Sequence, residues 1–116
     1  MRVFINAGHD RVFDPGAVGH GLKEADVVWN VSKLVAEYLR KAGVKVDAVY
    51  QDNSLSEIVR KANDCDSDIF ISIHCNSAKT DKARGTETFC CYRGGDSEKL
   101  AECIQSQIVN SIGTID

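Results

Sequence analysis

The sequence predicts an α/β fold in which helices flank a mostly parallel sheet on both faces. Short apolar runs at residues 3–5 and 69–73 have the β-branched and aromatic composition of buried strands. A long amphipathic helical pattern lies between these runs, and an alternating segment at residues 44–50 follows the helix. Strands that alternate with helices along a chain are typical of parallel sheets with right-handed crossovers.

The first strand is predicted at residues 2–6, and a glycine-rich loop follows it at residues 10–23. The sequence D-P-G at residues 14–16 has the chemistry of a turn. The aspartate bonds back to the backbone, the proline fixes its own φ, and the glycine accepts a positive φ. His20, which lies in the same loop, is interpreted as a surface histidine.

The first helix is predicted from residue 26 to residue 42, because apolar residues recur there at helical spacing. These residues are Val27, Val28, Val31, Leu34, Val35, Tyr38, Leu39 and Ala42. Gly43 is the expected stop signal. Residues 44–50 then alternate well enough to form the second strand.

A second helix is predicted after Ser54, which has capping-box spacing with Glu57. The helix leads into residues 68–77, D-I-F-I-S-I-H-C-N-S, where an apolar run ends in polar side chains. We predict residues 69–73 as the central strand, covered on both faces, since only a serine interrupts the run. His74 stands where this strand ends.

The C-terminal third is predicted to contain a strand at residues 86–92 and a helix at residues 96–112. The polar loop before the strand carries Lys79, Lys82 and Arg84, and it is either a solvated loop or a contact for an anionic polymer. This element order describes an incomplete α/β sandwich.

Length and composition limit the classes of protein that the chain can represent. With 116 residues it is expected to form one domain. Its 43% hydrophobic and 27% charged residues are ordinary for a globular protein, and a net charge of −3 argues for neither a nucleic-acid nor a membrane partner. Neither a signal-peptide pattern nor an apolar run of membrane-spanning length is visible.

The five cysteines lack the paired spacing of a metal motif and form an odd set, which favours reduced thiols over a disulfide framework. They are Cys65, Cys75, Cys90, Cys91 and Cys103. Cys75 follows His74 directly, but alternation in an extended chain is expected to point its thiol away from that imidazole.

Three ligand-type side chains are predicted to meet at the carboxyl end of the sheet. His9 follows the first strand, His74 follows the strand at residues 69–73, and Glu24 precedes the long helix. Functional groups of open α/β sheets gather at this end. Two imidazoles and one carboxylate with an open position are a common zinc set. The sequence therefore predicts a zinc site at the carboxyl ends of the strands.

Six motifs occur in order along nearly the whole chain: G-H-D, D-P-G-A-V-G, G-L-K-E, R-K-A-N-D, D-I-F-I-S-I-H-C-N-S and R-G-T-E-T-F. Together they resemble the zinc-dependent N-acetylmuramoyl-L-alanine amidases of the amidase_3 type. The resemblance implies that His9, Glu24 and His74 are the zinc ligands. It also implies hydrolysis of the amide between N-acetylmuramic acid and L-alanine in peptidoglycan. Asn76 is a candidate substrate-binding residue.

The family pattern includes a catalytic glutamate after the last sheet strand, and the chain stops at Asp116 before such a segment. We therefore expect residues 1–116 to be a single amidase-like catalytic domain, truncated at its C-terminus and only weakly active. Glu87 is a weak candidate for the missing carboxylate, and an exposed position on an edge strand is the other interpretation. The truncated edge is expected to favour oligomers.

Three classes of function stay open at this point. The first is the amidase, and the second is a wall-binding module that retains zinc but has little activity. The third, an α/β domain that binds a nucleotide or phosphate, lacks a G-x-G-x-x-G or Walker pattern. With no visible signal peptide we expect synthesis in the cytoplasm and action at the bacterial cell wall, as in an endolysin, an autolysin or a sporulation amidase.

Overall fold

The computed structural model describes residues 1 to 114 and divides them into two compact units, residues 1–77 and residues 78 onward. The first unit contains strands β1 (Arg2–Ala7), β2 (Val18–Gly19), β3 (Leu22–Lys23), β4 (Lys45–Tyr50) and β5 (Ile69–Ile73), with helices α1 (Glu24–Lys41) and α2 (Leu55–Cys65). The second unit contains helix α3 (Asp96–Ile112). None of these helices is long and apolar enough to cross a membrane.

The main sheet of the first unit has the strand order β4-β1-β5, and all of its pairs are parallel. The prediction that residues 69–73 form the central strand is wrong for the described residues, because β1 lies in the middle and β5 at an edge. Val3 to Ala7 of β1 are all buried, whereas Phe70 of β5 is 50% exposed. An apolar run indicates burial, but only pairing between distant segments decides which strand is central.

Helices cover both faces of this sheet, as the sequence predicts. On one face, Ile5 belongs to a buried cluster with Ala36 of α1. The neighbouring Phe4 points to the other face, where its ring lies 6.2 Å from the ring of Tyr50. Lys61 of α2 lies over the same tyrosine, 5.9 Å from the ring centroid. The α/β fold class is therefore confirmed.

The loop predicted at residues 10–23 contains a short hairpin that the sequence analysis missed. Strands β2 and β3 pair in antiparallel fashion, with Gly19 opposite Leu22. His20 and Gly21 connect them with positive φ angles of 52° and 75°. Two positive φ values at the centre of a two-residue turn are what a type I′ hairpin requires. His20 is exposed, as predicted.

The predicted strand at residues 86–92 is wrong, because this segment has no strand in the described part of the second unit. Its polar groups bind a helix instead of a neighbouring strand. Gln105 of α3 donates from Nε2 to the carbonyl of Thr86 at 2.8 Å, and Thr88 donates from Oγ1 to Gln105 Oε1 at 2.9 Å. Alternation of side chains indicates an extended chain, but a strand also needs a partner.

One buried polar atom on α1 is a candidate for stabilisation. Ser32 is fully buried, and its Oγ has no hydrogen-bond partner among the described residues. We expect Ser32→Ala to raise the free energy of unfolding by about 1–2 kcal/mol, because it removes an unpaired buried hydroxyl and improves helix propensity. Chemical denaturation measures this change. The control Ser106→Ala, on the exposed side of α3, is expected to report helix propensity alone. A destabilised Ser32→Ala would contradict the prediction.

Candidate metal centre

The side chains of His9, Glu24 and His74 meet in the first unit, as the sequence predicts. One ligand atom from each lies within 4.8 Å of the others. Glu24 Oε1 is the common point, 3.3 Å from His9 Nε2 and 3.2 Å from His74 Nδ1. The two imidazole rings stand edge to face, with centroids 5.2 Å apart. The three candidate ligands thus come from the end of β1, the start of α1 and the end of β5.

Glu24 is the first residue of α1, which begins two residues earlier than predicted. The preceding loop fixes this helix start, since the N–H of Glu24 donates to the carbonyl of Ala17 and the N–H of Ala25 donates to the carbonyl of Pro15. The carboxylate is almost fully buried, with 3% of the side chain exposed. It accepts a hydrogen bond on each oxygen, from the N–H of Ala17 at 2.9 Å and from the N–H of Cys75 at 2.8 Å.

These contacts determine the charge state of Glu24. Burial opposes ionisation of the carboxyl group, but the two backbone N–H groups and the neighbouring His9 and His74 outweigh it. The pKa of Glu24 therefore lies below its ordinary value. The centre thus offers an anionic ligand at neutral pH.

His9 is held by a residue that the sequence analysis treated only as part of a turn. Asp14 binds the imidazole, with 3.0 Å between its Oδ2 and His9 Nδ1, and this contact raises the pKa of His9. The hydrogen bond also lowers the pKa of Asp14. Asp10 accepts from the N–H groups of Val12 and Phe13 and fixes the turn that brings Asp14 back to His9. The D-P-G motif therefore positions a ligand as well as turning the chain.

The ring of His74 rests against the backbone of Gly8. A Cβ atom at Gly8 would lie 2.4 Å from His74 Nδ1, so no side chain fits there. Gln51, which follows β4, donates to the carbonyls of Gly8 and Ala25 at 3.0 and 2.9 Å. It ties the end of β1 to the start of α1, and no sequence pattern indicated this role.

The donor set fits a zinc ion. In a tetrahedral site with bonds of about 2.0–2.2 Å, neighbouring ligand atoms lie roughly 3.3–3.6 Å apart. The two distances to Glu24 Oε1 are close to this spacing. Each imidazole also uses its second nitrogen for a hydrogen bond, His9 to Asp14 and His74 to Ser72, as metal-bound histidines commonly do.

The other candidates from the sequence lie outside the metal-capable group of the described residues. Cys75 contributes its backbone N–H, and burial followed by the charge of Glu24 raises the pKa of its thiol, which disfavours the thiolate that a metal would need. None of the five cysteines, all described, forms a disulfide. Asn76 is exposed two residues after His74, and Glu87 is exposed in the second unit.

Two glycines make room for the centre, and matched controls are available for both. We expect Gly8→Ala to lower the free energy of unfolding of the metal-free protein by about 1–3 kcal/mol, because the new Cβ displaces the His74 ring. Gly19→Ala, where nothing lies within 4 Å, is expected to change it by less than about 0.5 kcal/mol. Chemical denaturation with chelator present compares the two. Equal changes of stability in Gly8→Ala and Gly19→Ala would show that the close approach of His74 to Gly8 does not matter for stability.

Gly16 provides a second matched pair. It has a φ of 70°, and its Cβ would lie 2.6 Å from His9 Cδ2 and 2.7 Å from Glu24 Oε2. Gly21 has a similar φ of 75° but open space around it. We therefore expect Gly16→Ala to be more destabilising than Gly21→Ala, since both carry the same backbone strain and only the first adds a clash.

Comparisons with known proteins show which family the chain resembles along its length. Residues 3–116 match the family Amidase_3, N-acetylmuramoyl-L-alanine amidase. The chain is 43% identical over 119 residues to the protein YqiI of Bacillus subtilis, an alignment that covers 98% of this chain and 57% of YqiI. It is 35% identical over 120 residues to the N-acetylmuramoyl-L-alanine amidase LytC of the same organism, covering 98% of this chain and 24% of LytC.

The fold of the chain is also similar to that of a solved structure. The N-acetylmuramoyl-L-alanine amidase AmiC2 of Nostoc punctiforme superposes with a TM-score of 0.86 at 33% identity, covering 100% of this chain and 65% of that chain. The chain therefore spans between about a quarter and two thirds of these relatives. His9, Glu24 and His74 all lie within the segment that matches the family.

Proposed function

Because the chain belongs to the Amidase_3 family of N-acetylmuramoyl-L-alanine amidases, we propose that it hydrolyses the amide bond between N-acetylmuramic acid and L-alanine in peptidoglycan, with zinc as its cofactor. The observation that carries the proposal is the approach of two imidazole nitrogens to one oxygen of Glu24. The place of action is the bacterial cell wall, where this substrate occurs.

His9, Glu24 and His74 would hold the zinc ion. When bound, zinc polarises the scissile carbonyl and makes water a stronger nucleophile near neutral pH. Glu24 supplies the anionic ligand and is fixed by the N–H groups of Ala17 and Cys75. This support keeps the ligand atoms in place before substrate arrives, which avoids a reorganisation cost during the reaction.

The exposed side of the centre is where substrate has room to bind. The His74 side chain is 48% exposed and that of His9 29% exposed, whereas Glu24 is buried beneath them. We assign Asn76, exposed two residues after His74, to substrate contact. A muramyl peptide is large and polar, so an open site of this kind suits it better than a closed pocket.

Amide hydrolysis also needs a group that takes a proton from the attacking water and passes it to the leaving amine. Within residues 1–77, Asp14 is the other carboxylate close to the candidate metal centre. Its Oδ2 is already hydrogen-bonded to His9 Nδ1, so Asp14 is not assigned this role. Glu87 in the second unit remains a candidate for this role. The glutamate that the family resemblance implies after the last sheet strand is the other candidate for this role.

The amidase proposal is tested by the new chain ends that appear in peptidoglycan. After long incubation with zinc-loaded protein, amino-terminal labelling is expected to find L-alanine alone, and His74→Ala is expected to release none. His20→Ala, which changes an exposed histidine outside the metal-capable group, is the matched control and should retain activity. New reducing sugars or other amino termini would contradict the proposal. Sedimentation with peptidoglycan without any release would indicate a wall-binding module.

A further inference from the structure

Two polar side chains, Asn6 and Ser72, link the middle of the sheet to His74. We propose that they are positioning residues, which hold the proton of His74 on Nε2 when zinc is bound and thereby make Nδ1 the metal-binding atom. The inference rests on the proposed function, because it specifies the atom that His74 offers to zinc. It adds two residues to the centre that are not themselves ligands.

Asn6 and Ser72 belong to a regular series of neighbours on one face of β1 and β5. Phe4 pairs with Phe70, and their rings stack with centroids 5.7 Å apart. Two residues further along, Asn6 pairs with Ser72. Because side chains alternate along a strand, His74 emerges on the same face as Ser72. The strand pairing therefore places the asparagine, the serine and the histidine in a row.

The direction of each hydrogen bond follows from what the groups can donate. The amide nitrogen of Asn6 donates to the carbonyls of Tyr50 and Ala7 at 3.2 and 3.1 Å, and these oxygens only accept. This orientation turns Asn6 Oδ1 towards Ser72, whose hydroxyl donates to it at 2.7 Å. A hydroxyl has one hydrogen, so Ser72 Oγ can only accept from His74 Nε2, 3.0 Å away.

A neutral imidazole carries one N–H, so a proton fixed on Nε2 leaves the lone pair of His74 on Nδ1. That is the nitrogen 3.2 Å from Glu24 Oε1, a carboxylate oxygen that competes with Ser72 for the ring proton when no metal is bound. The tautomer with a free lone pair on Nδ1 therefore belongs to the zinc-bound state. His9 is arranged in the opposite sense, since Asp14 takes its Nδ1 and its Nε2 faces Glu24. The two histidines thus present different ring nitrogens to the candidate metal site. Asp14 orients His9, and Ser72 orients His74.

The burial of Asn6 explains why the orientation is stable. Asn6 is 4% exposed, and rotating its amide would place its NH2 group against the Ser72 hydroxyl and leave the carbonyl of Tyr50 without this donor. An unpaired buried polar group is costly, so the amide keeps one orientation. The Ser72 hydroxyl therefore donates to Asn6 Oδ1 and accepts from His74 Nε2.

The test reads which ring nitrogen of His74 binds zinc and which one carries the proton in the zinc-loaded protein. Nitrogen-15 NMR of the ring is expected to show Nε2–H and zinc-bound Nδ1 in the unmodified chain. Ser72→Ala is expected to speed the exchange of the Nε2 proton with water and to raise the zinc dissociation constant roughly 10- to 100-fold. Ser72→Thr, which keeps the hydroxyl, should restore both readouts. Ser56→Ala, which removes a hydrogen-bonded hydroxyl on α2, should change neither.

The identity of the zinc-binding nitrogen separates this inference from the metal site itself. Zinc bound to Nε2 of His74 in the unmodified chain would overturn the inference, and so would Ser72→Ala with unchanged proton exchange and an unchanged zinc dissociation constant. If Ser72→Ala fails to fold, the unmodified chain and Ser72→Thr still decide the question. Absence of zinc binding in the unmodified chain would refute the proposed metal site, whereas zinc binding through Nε2 of His74 would refute this inference alone.

Discussion

Glu24→Ala is expected to weaken zinc binding by more than the roughly 100-fold that loss of an outer-shell partner can cost, because it removes a ligand. The substitution takes away the oxygen that lies 3.3 Å from His9 Nε2 and 3.2 Å from His74 Nδ1. It also leaves the N–H groups of Ala17 and Cys75 without their carboxylate acceptor. An unpaired buried donor costs about 1–3 kcal/mol, and because these two donors are only partly buried we expect the metal-free protein to lose roughly 2–4 kcal/mol of stability.

Zinc titration calorimetry and chemical denaturation in the presence of chelator measure these two effects separately. The matched control is Glu37→Ala, on the same helix, whose exposed carboxylate pairs with Lys41 at 3.1 Å. Such surface pairs contribute little, so the control is expected to bind one zinc normally and to change stability by less than about 0.5 kcal/mol. A full equivalent of zinc bound to Glu24→Ala at unchanged affinity would show that the ligand assignment is wrong.

Extending residues 1–116 with the residues of YqiI that follow its matched segment is expected to raise kcat on peptidoglycan by roughly 10²- to 10⁴-fold, the usual contribution of general acid–base catalysis. The chain matches 57% of YqiI, and the family resemblance implies an acid–base glutamate after the last sheet strand. The zinc dissociation constant is expected to stay the same, because the three candidate ligands lie within residues 9–74.

Initial rates of L-alanine terminus release by the two proteins decide this prediction. The same fusion carrying His74→Ala is the control, and it should show no gain if the added segment works through the metal centre. Equal rates for residues 1–116 with and without the fusion would contradict the prediction and direct attention to Glu87. In that case Glu87→Gln should abolish turnover and leave zinc affinity unchanged.

The sequence alone predicted the helices, the parallel strands and the three candidate ligands. These features depend on local patterns, because hydrophobic periodicity reports helix or strand within a few residues. His9 and His74 were identified because each follows an apolar strand, and Glu24 because it precedes a helix. In a parallel sheet, strand ends meet at one edge, so sequence order was enough to predict that these side chains come together.

The tertiary structure decided the features that depend on distant partners. Strand order is one of them, since the apolar runs of β1 and β5 look alike and only their pairing places β1 in the middle. Residues 86–92 alternate like a strand but bind Gln105 of α3 instead. The hydrogen bonds that hold the candidate metal ligands in place also depend on distant partners. The contacts of Asp14, Gln51 and Ser72 join segments that share no local pattern, and a hydrogen bond between such segments is fixed only when the folded chain brings donor and acceptor within reach.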